Sequence, residues 1–255
     1  MNILVANDDG IRSEGIYRLV ETLSGAADIY VCAPHIQRSA ASHSISVWDS
    51  IEVSEVGFDN AKLAFETSGT PADCVKLGLN ILEDKGVAID MVVSGINHGG
   101  NLGTDTIYSG TVGAAREGCF CKKPSIAVSV NSHNPKHFEF ACELALKTCS
   151  FVYGKIDCHT LININTPDLP KPEIKGVIFA RLGERKYDEW FAPGESKDGS
   201  LQYSYSGKPF IYEGLKNDID VIAVQEGYAA ITPLRSYDLT DYKLLEEIKQ
   251  WGIDK

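Results

Sequence analysis

Short apolar runs alternate with amphipathic stretches along the first two-thirds of the chain. Continuous runs rich in β-branched residues predict five buried strands, at 2–7, 29–33, 89–94, 125–130 and 160–164. The segments between them predict four helices, at 13–24, 70–83, 111–117 and 136–152. Strands that are apolar throughout and alternate with helices are typical of a parallel sheet covered on both faces. The pattern therefore predicts a doubly wound, mostly parallel α/β fold.

Cap and turn residues set the predicted ends of these helices. Thr70-Pro71-Ala72-Asp73 combines a capping threonine, a proline suited to the first turn and an aspartate that completes a capping box. Gly25 and Gly118 are expected to end the first and third helices.

Two segments fall outside the alternation. Residues 45–67 predict antiparallel strands, near 46–48, 51–53 and 63–65, inserted after the second strand. Residues 181–212 are polar yet rich in aromatic side chains: Tyr187, Trp190, Phe191, Tyr203, Tyr205, Phe210 and Tyr212. We interpret this segment as a hairpin arm that covers the substrate or packs on a second subunit, and an amphipathic helix at 242–251 is expected to dock there. The predicted organisation is a catalytic core at 1–180 followed by an oligomerisation arm, returning strands and the final helix at 181–255.

Composition narrows the possible partners. The 255 residues carry 24 lysines and arginines against 35 aspartates and glutamates, a formal charge of −11. No basic field is available to attract a nucleic-acid polymer or an anionic membrane. No apolar run approaches the ~18–20 residues of a membrane span, and Met1-Asn2-Ile3 lacks the basic start of a signal peptide. Seven cysteines, an odd number set mostly among apolar residues, predict buried thiols in a reducing cytoplasm.

Polar residues follow three of the predicted strands. Asp8 and Asp9 follow the first, Ser39 lies in the loop after the second, and Asn97 lies beyond the third. These side chains are expected to converge, because the carboxyl ends of parallel strands share one edge of the sheet. Adjacent carboxylates repel unless a cation or shared protons offset their charge, and oxygen ligands of these kinds suit Mg²⁺, Mn²⁺ or Ca²⁺. The pattern predicts a divalent-cation site with open positions for water and phosphate oxygens.

A second element of the predicted site is the start of the third helix. Tyr108-Ser109-Gly110-Thr111 leads into this helix, whose first amides and dipole form an anion site. Seven of the 23 glycines fall between Gly95 and Gly118. That density favours backbone lying close to a ligand over a merely flexible loop.

Arg38 and three histidines accompany these motifs. Arg38 is a candidate either for contacting phosphate or for pairing with an acid. His35, His43 and His98 are interpreted as loop residues that are solvated or lie outside the ligand set. No general base is evident, because the two adjacent carboxylates are expected to be ionised and engaged with the metal.

Six motifs occur in order along the chain: Asn7-Asp8-Asp9-Gly10, Arg38-Ser39-Ala40, Gly69-Thr70-Pro71-Ala72-Asp73-Cys74-Val75, Ser94-Gly95-Ile96-Asn97-x-Gly-x-Asn101-Leu102-Gly103, Tyr108-Ser109-Gly110-Thr111-Val112 and Ile231-Thr232-Pro233-Leu234. With them the chain resembles the SurE (survival protein E) family of metal-dependent nucleotidases. The glycine-rich fourth motif is the most specific of the six. The sequence departs from the family pattern at His35, where an acidic residue is expected, and at Gly100, where a proline is usual.

The resemblance implies a 5′- and 3′-nucleotidase, an acid-phosphatase-like phosphomonoesterase that converts nucleoside monophosphates to nucleoside and phosphate through a metal-activated water. It implies Mg²⁺ or Mn²⁺ held by four residues, the first two of them catalytic: Asp8, Asp9, Ser39 and Asn97. Five residues are candidate substrate contacts: Arg38, Asn101, Ser109, Gly110 and Thr111. The resemblance further implies a homodimer or homotetramer that exchanges C-terminal segments, which agrees with the predicted arm.

Other functions fit the sequence less well. A signalling receiver shares the acidic pair but needs an aspartate at the tip of a later strand, where this chain has Ser94-Gly95-Ile96-Asn97. A haloacid-dehalogenase-like phosphatase needs Asp-x-Asp, and Gly10 stands at the second position. A dinucleotide-binding oxidoreductase would carry Gly-x-Gly-x-x-Gly after the first strand. A noncatalytic module that binds nucleotide and metal stays open as an alternative.

Overall fold

A nine-stranded mixed sheet forms the centre of the computed structural model, which describes residues 1–188, 191–195, 200–205, 207–210, 218–237 and 244. The strands of the described chain, in both the large sheet and a separate hairpin, are β1 (Asn2–Ala6), β2 (Asp28–Pro34), β3 (Val53–Val56), β4 (Leu63–Thr67), β5 (Met91–His98), β6 (Ser125–Val130), β7 (Thr160–Thr166), β8 (Val177–Phe179), β9 (Phe191–Pro193), β10 (Tyr203–Tyr205) and β11 (Ala229–Arg235). The α-helices are α1 (Glu14–Leu23), α2 (Pro71–Asp84), α3 (Gly110–Phe120), α4 (Glu139–Val152) and α5 (Asp220–Gln225).

The large sheet has the strand order β3-β4-β2-β1-β5-β6-β7-β11-β8. The six strands from β4 to β7 are parallel, whereas β3 and β11 run antiparallel to β4 and β7. Helices α1 and α4 pack on one face through side chains such as Leu19 and Ala145, and α2 and α3 pack on the other through Val75 and Ala114. The prediction of a doubly wound, mostly parallel α/β fold is confirmed, because buried strands of this kind need cover on both faces.

Helix α2 begins as the sequence predicts. Thr70 Oγ1 accepts from the Asp73 amide at 3.1 Å, and Asp73 Oδ2 accepts from the Thr70 amide at 2.9 Å, so both halves of the capping box form. The strand predicted at 46–48 is wrong. Ser46 donates to Asp73 through its amide (3.0 Å) and its hydroxyl (2.7 Å), and Trp48 is 95% exposed. A segment bound to a helix cap in this way has no neighbouring strand to join.

Helix α3 does not end at Gly118, as predicted, but continues to Phe120. A Cβ on Gly118 would lie 2.3 Å from Ser125 Oγ and 2.9 Å from Val92 Cβ. The glycine therefore lets the helix approach β5 and β6 closely, and it does not terminate the helix. Helix α4 also begins later than predicted, because the amides of Lys136 and His137 bind the Asp168 carboxylate instead.

The inserted strands β3 and β4 form the predicted antiparallel pair, and β4 joins the edge of the large sheet parallel to β2. In the C-terminal region β9 and β10 form a separate antiparallel hairpin, and β11 returns to the sheet beside β7. Trp190, Tyr212 and the helix predicted at 242–251 lie outside the described residues, apart from Leu244. The division at residue 180 stays a prediction. Within the described chain, no helix has the length and apolar character that crossing a membrane requires.

Candidate active site

The first strand delivers two carboxylates to the edge of the sheet. Asn7 shapes the turn that follows β1, because its Nδ2 donates to Gly10 O at 2.8 Å and to Ser13 Oγ at 2.9 Å. Gly10 has φ +94°, a conformation that glycine adopts readily, and it turns the chain away from the end of β1. Asp8 and Asp9 are thereby fixed where β1 ends and α1 has yet to begin.

Asp8 is almost fully enclosed, with 4% of its surface exposed. Its carboxylate accepts from the Thr111 hydroxyl at 2.5 Å and from the Thr111 amide at 3.1 Å. Gly110 permits this approach, since a Cβ there would lie 2.9 Å from Asp8 Oδ2. Burial, and next the negative charge of Asp9, raise the pKa of Asp8 from 3.8 to about 6, although the Thr111 hydrogen bonds oppose the rise.

Asp9 is held by different partners. Its Oδ2 accepts from the His98 amide at 2.8 Å and its Oδ1 from Gln37 Nε2 at 3.1 Å. Burial raises its pKa as well, against the hydrogen bond and the positive influence of His98. Among the residues that the structure describes, no lysine, arginine or histidine forms an ion pair with either aspartate. The pair is therefore an anionic centre that the described chain leaves without a counter-ion in direct contact.

Ser39 lies in an exposed loop that is tied to the carboxylate pair. The Arg38 amide donates to Asp8 O at 2.7 Å. Further along, Ser42 donates to Tyr108 O through its amide (2.9 Å) and to Ile107 O through its hydroxyl (2.7 Å). These bonds join the loop after β2 to the entrance of α3 and place Ser39 in the lining of the same cavity as Asp8.

Asn97 lies on β5, not in a loop beyond it. Strand β5 extends to His98, and its register against β6 shifts between Ser94 and Asn97. Asn97 Nδ2 donates to Gly99 O at 2.7 Å, and within the described chain its amide oxygen accepts no hydrogen bond. Asn97 therefore brings an available oxygen to the cavity that Asp8 and Ser39 also line.

One cavity of about 960 Å³ occupies this edge of the sheet. Five of the predicted site residues line it: Asp8, Ser39, Asn97, Asn101 and Ser109. Asp9, Gly110 and Thr111 support the lining through the contacts given above. The described residues contain no group of three histidine, cysteine, aspartate or glutamate side chains that could hold a metal. A cation here would instead be held by two carboxylates with a hydroxyl and an amide oxygen.

Arg38 is not brought to the cavity lining. Its guanidinium donates to Ser68 O at 2.8 Å, and its Nε is buried without a partner in the described chain. The predicted contact between Arg38 and substrate therefore has no support from its position. His35 is directed elsewhere too, with Nδ1 2.8 Å from Thr67 O.

The start of α3 has fewer available amides than the sequence suggests. Ser109 caps the helix, its hydroxyl accepting from the Val112 amide at 3.0 Å. The Thr111 amide is bound to Asp8, and the Gly113 amide closes the first turn on Ser109 O. The positive end of the helix therefore acts first on the Asp8 carboxylate, and through it on whatever the carboxylate holds.

Asn101 is tied into the sheet beneath the cavity. Its amide donates to Asn165 Oδ1 and its Nδ2 to Ser129 Oγ, both at 2.8 Å. Its carbonyl accepts from Asn163 and Asn165, at 2.8 and 3.0 Å. These bonds from β6 and β7 fix the loop that follows Asn97, and the predicted contact of Asn101 with substrate stays a prediction.

The sequence interpretation missed several residues of the cavity wall. Gln37 and the His98 amide hold Asp9, and backbone donors of this kind leave no signature in the residue type. Arg185 and Tyr187 reach the cavity from the arm. Tyr187 was among the aromatic residues of 181–212 expected to cover the substrate or pack on a second subunit, whereas nothing in the pattern distinguished Arg185 from a solvated arginine.

Comparison with known proteins shows the family of this chain. The family model described as "Survival protein SurE" matches residues 3–189. The chain belongs to the SurE family. A protein named "5′-nucleotidase SurE" from Syntrophomonas wolfei is 43% identical over 98% of this chain and 94% of its own length. A protein of the same name from Pelotomaculum thermopropionicum is also 43% identical, over 98% of this chain and 95% of its own length. The SurE protein from Aquifex aeolicus superposes with a TM-score of 0.84 at 34% identity, over 98% of this chain and 99% of that one.

Membership of the SurE family confirms the resemblance found in the sequence. The six motifs that carry it include every residue of the anionic centre and of the α3 entrance. In the structure the first, second, fourth and fifth motifs lie at one edge of the sheet, where Asp8, Ser39, Asn97 and Ser109 line one cavity. The family match therefore covers the candidate site as well as the fold.

Proposed function

We propose that this SurE-family protein is a nucleotidase that hydrolyses nucleoside 5′- and 3′-monophosphates with the help of Mg²⁺ or Mn²⁺. The names of its relatives support nucleotidase activity. The observation that carries the proposal is the anionic centre: two adjacent, largely buried carboxylates without a counter-ion in the described chain, lining or supporting a cavity large enough for a nucleotide.

The donor set fits a hard divalent cation. Asp8, Asp9, Ser39 and Asn97 offer carboxylate, hydroxyl and amide oxygens, the ligands that Mg²⁺ and Mn²⁺ prefer over soft sulfur or a cluster of imidazoles. A divalent cation bound with open positions polarises a phosphoryl oxygen and lowers the pKa of a coordinated water. The raised pKa of Asp8 supports the same assignment, since a cation would replace the proton that burial favours.

The chain's own residues supply orientation. Thr111 fixes both oxygens of Asp8, and Gln37 with the His98 amide fixes those of Asp9, so neither carboxylate has to be reorganised when substrate binds. The positive end of α3 lies behind Asp8 and favours negative charge on the phosphate. No side chain of the described residues is assigned as the general base, because both catalytic aspartates are engaged.

The arm is proposed to join copies of the chain into a homodimer or homotetramer in the cytoplasm. Phe191, Leu201 and Tyr203 support this, since these large side chains of the arm are 61%, 84% and 59% exposed, and a group of exposed apolar side chains marks an interaction surface. Light scattering coupled to size exclusion would test the assembly, and a monomeric mass across micromolar concentrations would contradict it.

The activity is tested by phosphate release from AMP and 3′-AMP. The full-length protein is freed of metal with EDTA, and Mg²⁺ or Mn²⁺ is then restored. We expect turnover of both isomers only after the metal is restored. Undiminished activity in excess EDTA would overturn the metal-dependent mechanism, and absence of turnover with every metal would overturn the proposed activity itself.

A further inference from the structure

The cavity has a second wall, built by the C-terminal region. Arg185, Tyr187, Gly207 and Pro209 line it opposite the loops of the sheet edge, and we call these four residues the arm wall. The sheet edge supplies the proposed cation ligands and the start of α3. A cavity of about 960 Å³ is much larger than a phosphate group. The arm wall therefore borders the part of the cavity that a bound phosphate would not fill.

The arm wall is held by a shared carboxylate. Tyr187 donates its hydroxyl to Asp105 Oδ2 at 2.5 Å, and Arg185 Nη1 donates to the same oxygen at 3.1 Å and to Gly100 O at 3.2 Å. Tyr187 also pairs with Pro209 in an antiparallel bridge. Hydrogen bonds that converge on one half-buried carboxylate oxygen fix the positions of both side chains before any ligand arrives.

The arm is also fastened from behind. Asp220 is fully buried, with Oδ2 accepting from the Gly103 amide and Oδ1 from the Gly183 amide, both at 2.8 Å. Thr104 adds a bond from its hydroxyl to Arg185 O at 2.7 Å. The loop after β5 and the segment that carries the arm wall therefore form one unit within a single chain.

The chemistry of the arm wall differs from that of the sheet edge. The Arg185 guanidinium carbon lies 5.9 Å from the centroid of the Tyr187 ring, so a cation and an aromatic ring stand side by side in this wall. The carboxylate beside them, Asp105, is engaged by both. Planar cationic and aromatic faces beside a phosphate site suit a flat heterocycle, which binds by stacking.

We propose that the arm wall binds the nucleobase of the substrate, with the Tyr187 ring stacking on the base and Arg185 lying beside it. The proposal rests on the proposed nucleotidase function and adds the source of selectivity: nucleotides are preferred over phosphomonoesters that lack a base. Tyr187 and Arg185 are specificity-determining residues, and the phosphate is handled at the sheet edge.

The test compares AMP with ribose 5-phosphate, which carries the same ester without the base. For Tyr187→Leu we expect the ratio of kcat/KM for AMP to that for ribose 5-phosphate to fall about tenfold, mainly through KM for AMP, the size expected from losing one stacking contact. Tyr187→Phe keeps the ring and should retain the wild-type ratio. Tyr203→Leu removes a tyrosine of the C-terminal region that does not line the cavity, and it serves as the matched control.

Equal losses of kcat/KM for AMP and for ribose 5-phosphate in Tyr187→Leu would overturn the proposal, because they would show that the arm wall only stabilises the structure of the site. An unchanged ratio would overturn it as well. Failure of the nucleotidase function is distinguished by the wild type, which would then release no phosphate from AMP. In that case calorimetric binding of AMP decides: the proposal requires weaker binding to Tyr187→Leu than to Tyr187→Phe, and equal binding contradicts it.

Discussion

Two buried carboxylates at helix α3 have opposite electrostatic surroundings: Asp8 lies against the start of the helix, and Glu117 belongs to the helix itself. Near its start, Thr111 donates to Asp8, whose pKa is raised to about 6 by burial and then by Asp9. Two turns later, Glu117 accepts from His43 at 2.8 Å and from Lys76 at 3.1 Å. The hydrogen bond from His43, and after it that from Lys76, lowers the pKa of Glu117 against the effect of burial. One carboxylate is neutralised by the chain, and the other is left for a ligand.

A third carboxylate shows which part of this contrast matters. Burial raises the pKa of Asp220 also, yet its oxygens accept backbone N–H groups and it does not line the cavity. A raised pKa therefore does not by itself mark a binding site. Asp8 differs from Asp220 because it combines burial, an adjacent carboxylate and access to the cavity.

The largest expected effect is on catalysis. Asp8→Asn removes a proposed cation ligand while its amide can still bond to both Thr111 groups. We expect kcat/KM for AMP to fall at least ~1000-fold, about 4 kcal/mol of transition-state stabilisation. Asp59→Asn, an exposed aspartate of the β3–β4 turn, is the matched control. Steady-state kinetics with saturating Mn²⁺ measure the difference, and a loss below tenfold would remove Asp8 from the mechanism.

The pH dependence of stability should differ between the two carboxylates in metal-free protein. Because the folded-state pKa of Asp8 is raised from 3.8 to about 6, the native state binds more protons than the unfolded state in that window. The contribution of Asp8 to the free energy of unfolding therefore falls as the pH rises, by roughly 3 kcal/mol across the window. The free energy of unfolding of Asp8→Asn should therefore rise relative to that of the wild type between about pH 4 and pH 7. Urea unfolding in the presence of EDTA measures this difference. Parallel stability curves would contradict the raised pKa.

Glu117 should behave in the opposite way. Its pKa is lowered, so its contribution to stability is present above the ordinary glutamate pKa and is lost as the pH falls. Glu117→Gln removes the charge that Lys76 and His43 share, and we expect a loss of about 2 kcal/mol in the free energy of unfolding at neutral pH. Glu55→Gln disrupts an exposed pair with Lys85 and is the control, expected to be nearly neutral. Equal effects of the two variants would refute the structural role of Glu117.

The smallest effect concerns the loop that carries Ser39. His43 connects this loop to Glu117, so His43→Ala should loosen Ser39 and raise the Mn²⁺ concentration that gives half-maximal activity, roughly three- to tenfold. His35→Ala alters the same loop at a side chain that bonds to Thr67 O, outside the cavity. Metal titrations of activity compare the variants. An unchanged Mn²⁺ requirement in His43→Ala would show that Ser39 is positioned without the His43–Glu117 contact.

Much of the fold was predictable because its signals are local. β-branched runs identified the parallel strands, and Thr70 with Asp73 identified the start of α2 from side-chain capping. The strand ends likewise predicted that Asp8, Ser39 and Asn97 would line one cavity, because parallel topology fixes where carboxyl ends lie.

What could not be predicted depends on tertiary contacts. Gly118 has the residue type of a helix terminator, and only the proximity of Ser125 shows why it lies within α3. The motif at Arg38-Ser39-Ala40 made Arg38 a candidate substrate contact, yet Arg38 bonds to Ser68 O, whereas Arg185, which no motif marks, lines the cavity. Backbone donors such as the His98 amide carry no sequence signal at all.

The central claim is that the anionic centre at Asp8 and Asp9 holds a divalent cation. Calorimetric melting of the metal-free protein, with and without Mn²⁺ at about one hundred times its dissociation constant, tests this most directly. Linkage predicts stabilisation of the wild type by about 2.7 kcal/mol and a corresponding rise in Tm. The rise should be lost in Asp8→Asn and retained in Glu117→Gln. An equal rise in wild type and Asp8→Asn would place the cation elsewhere and contradict the account.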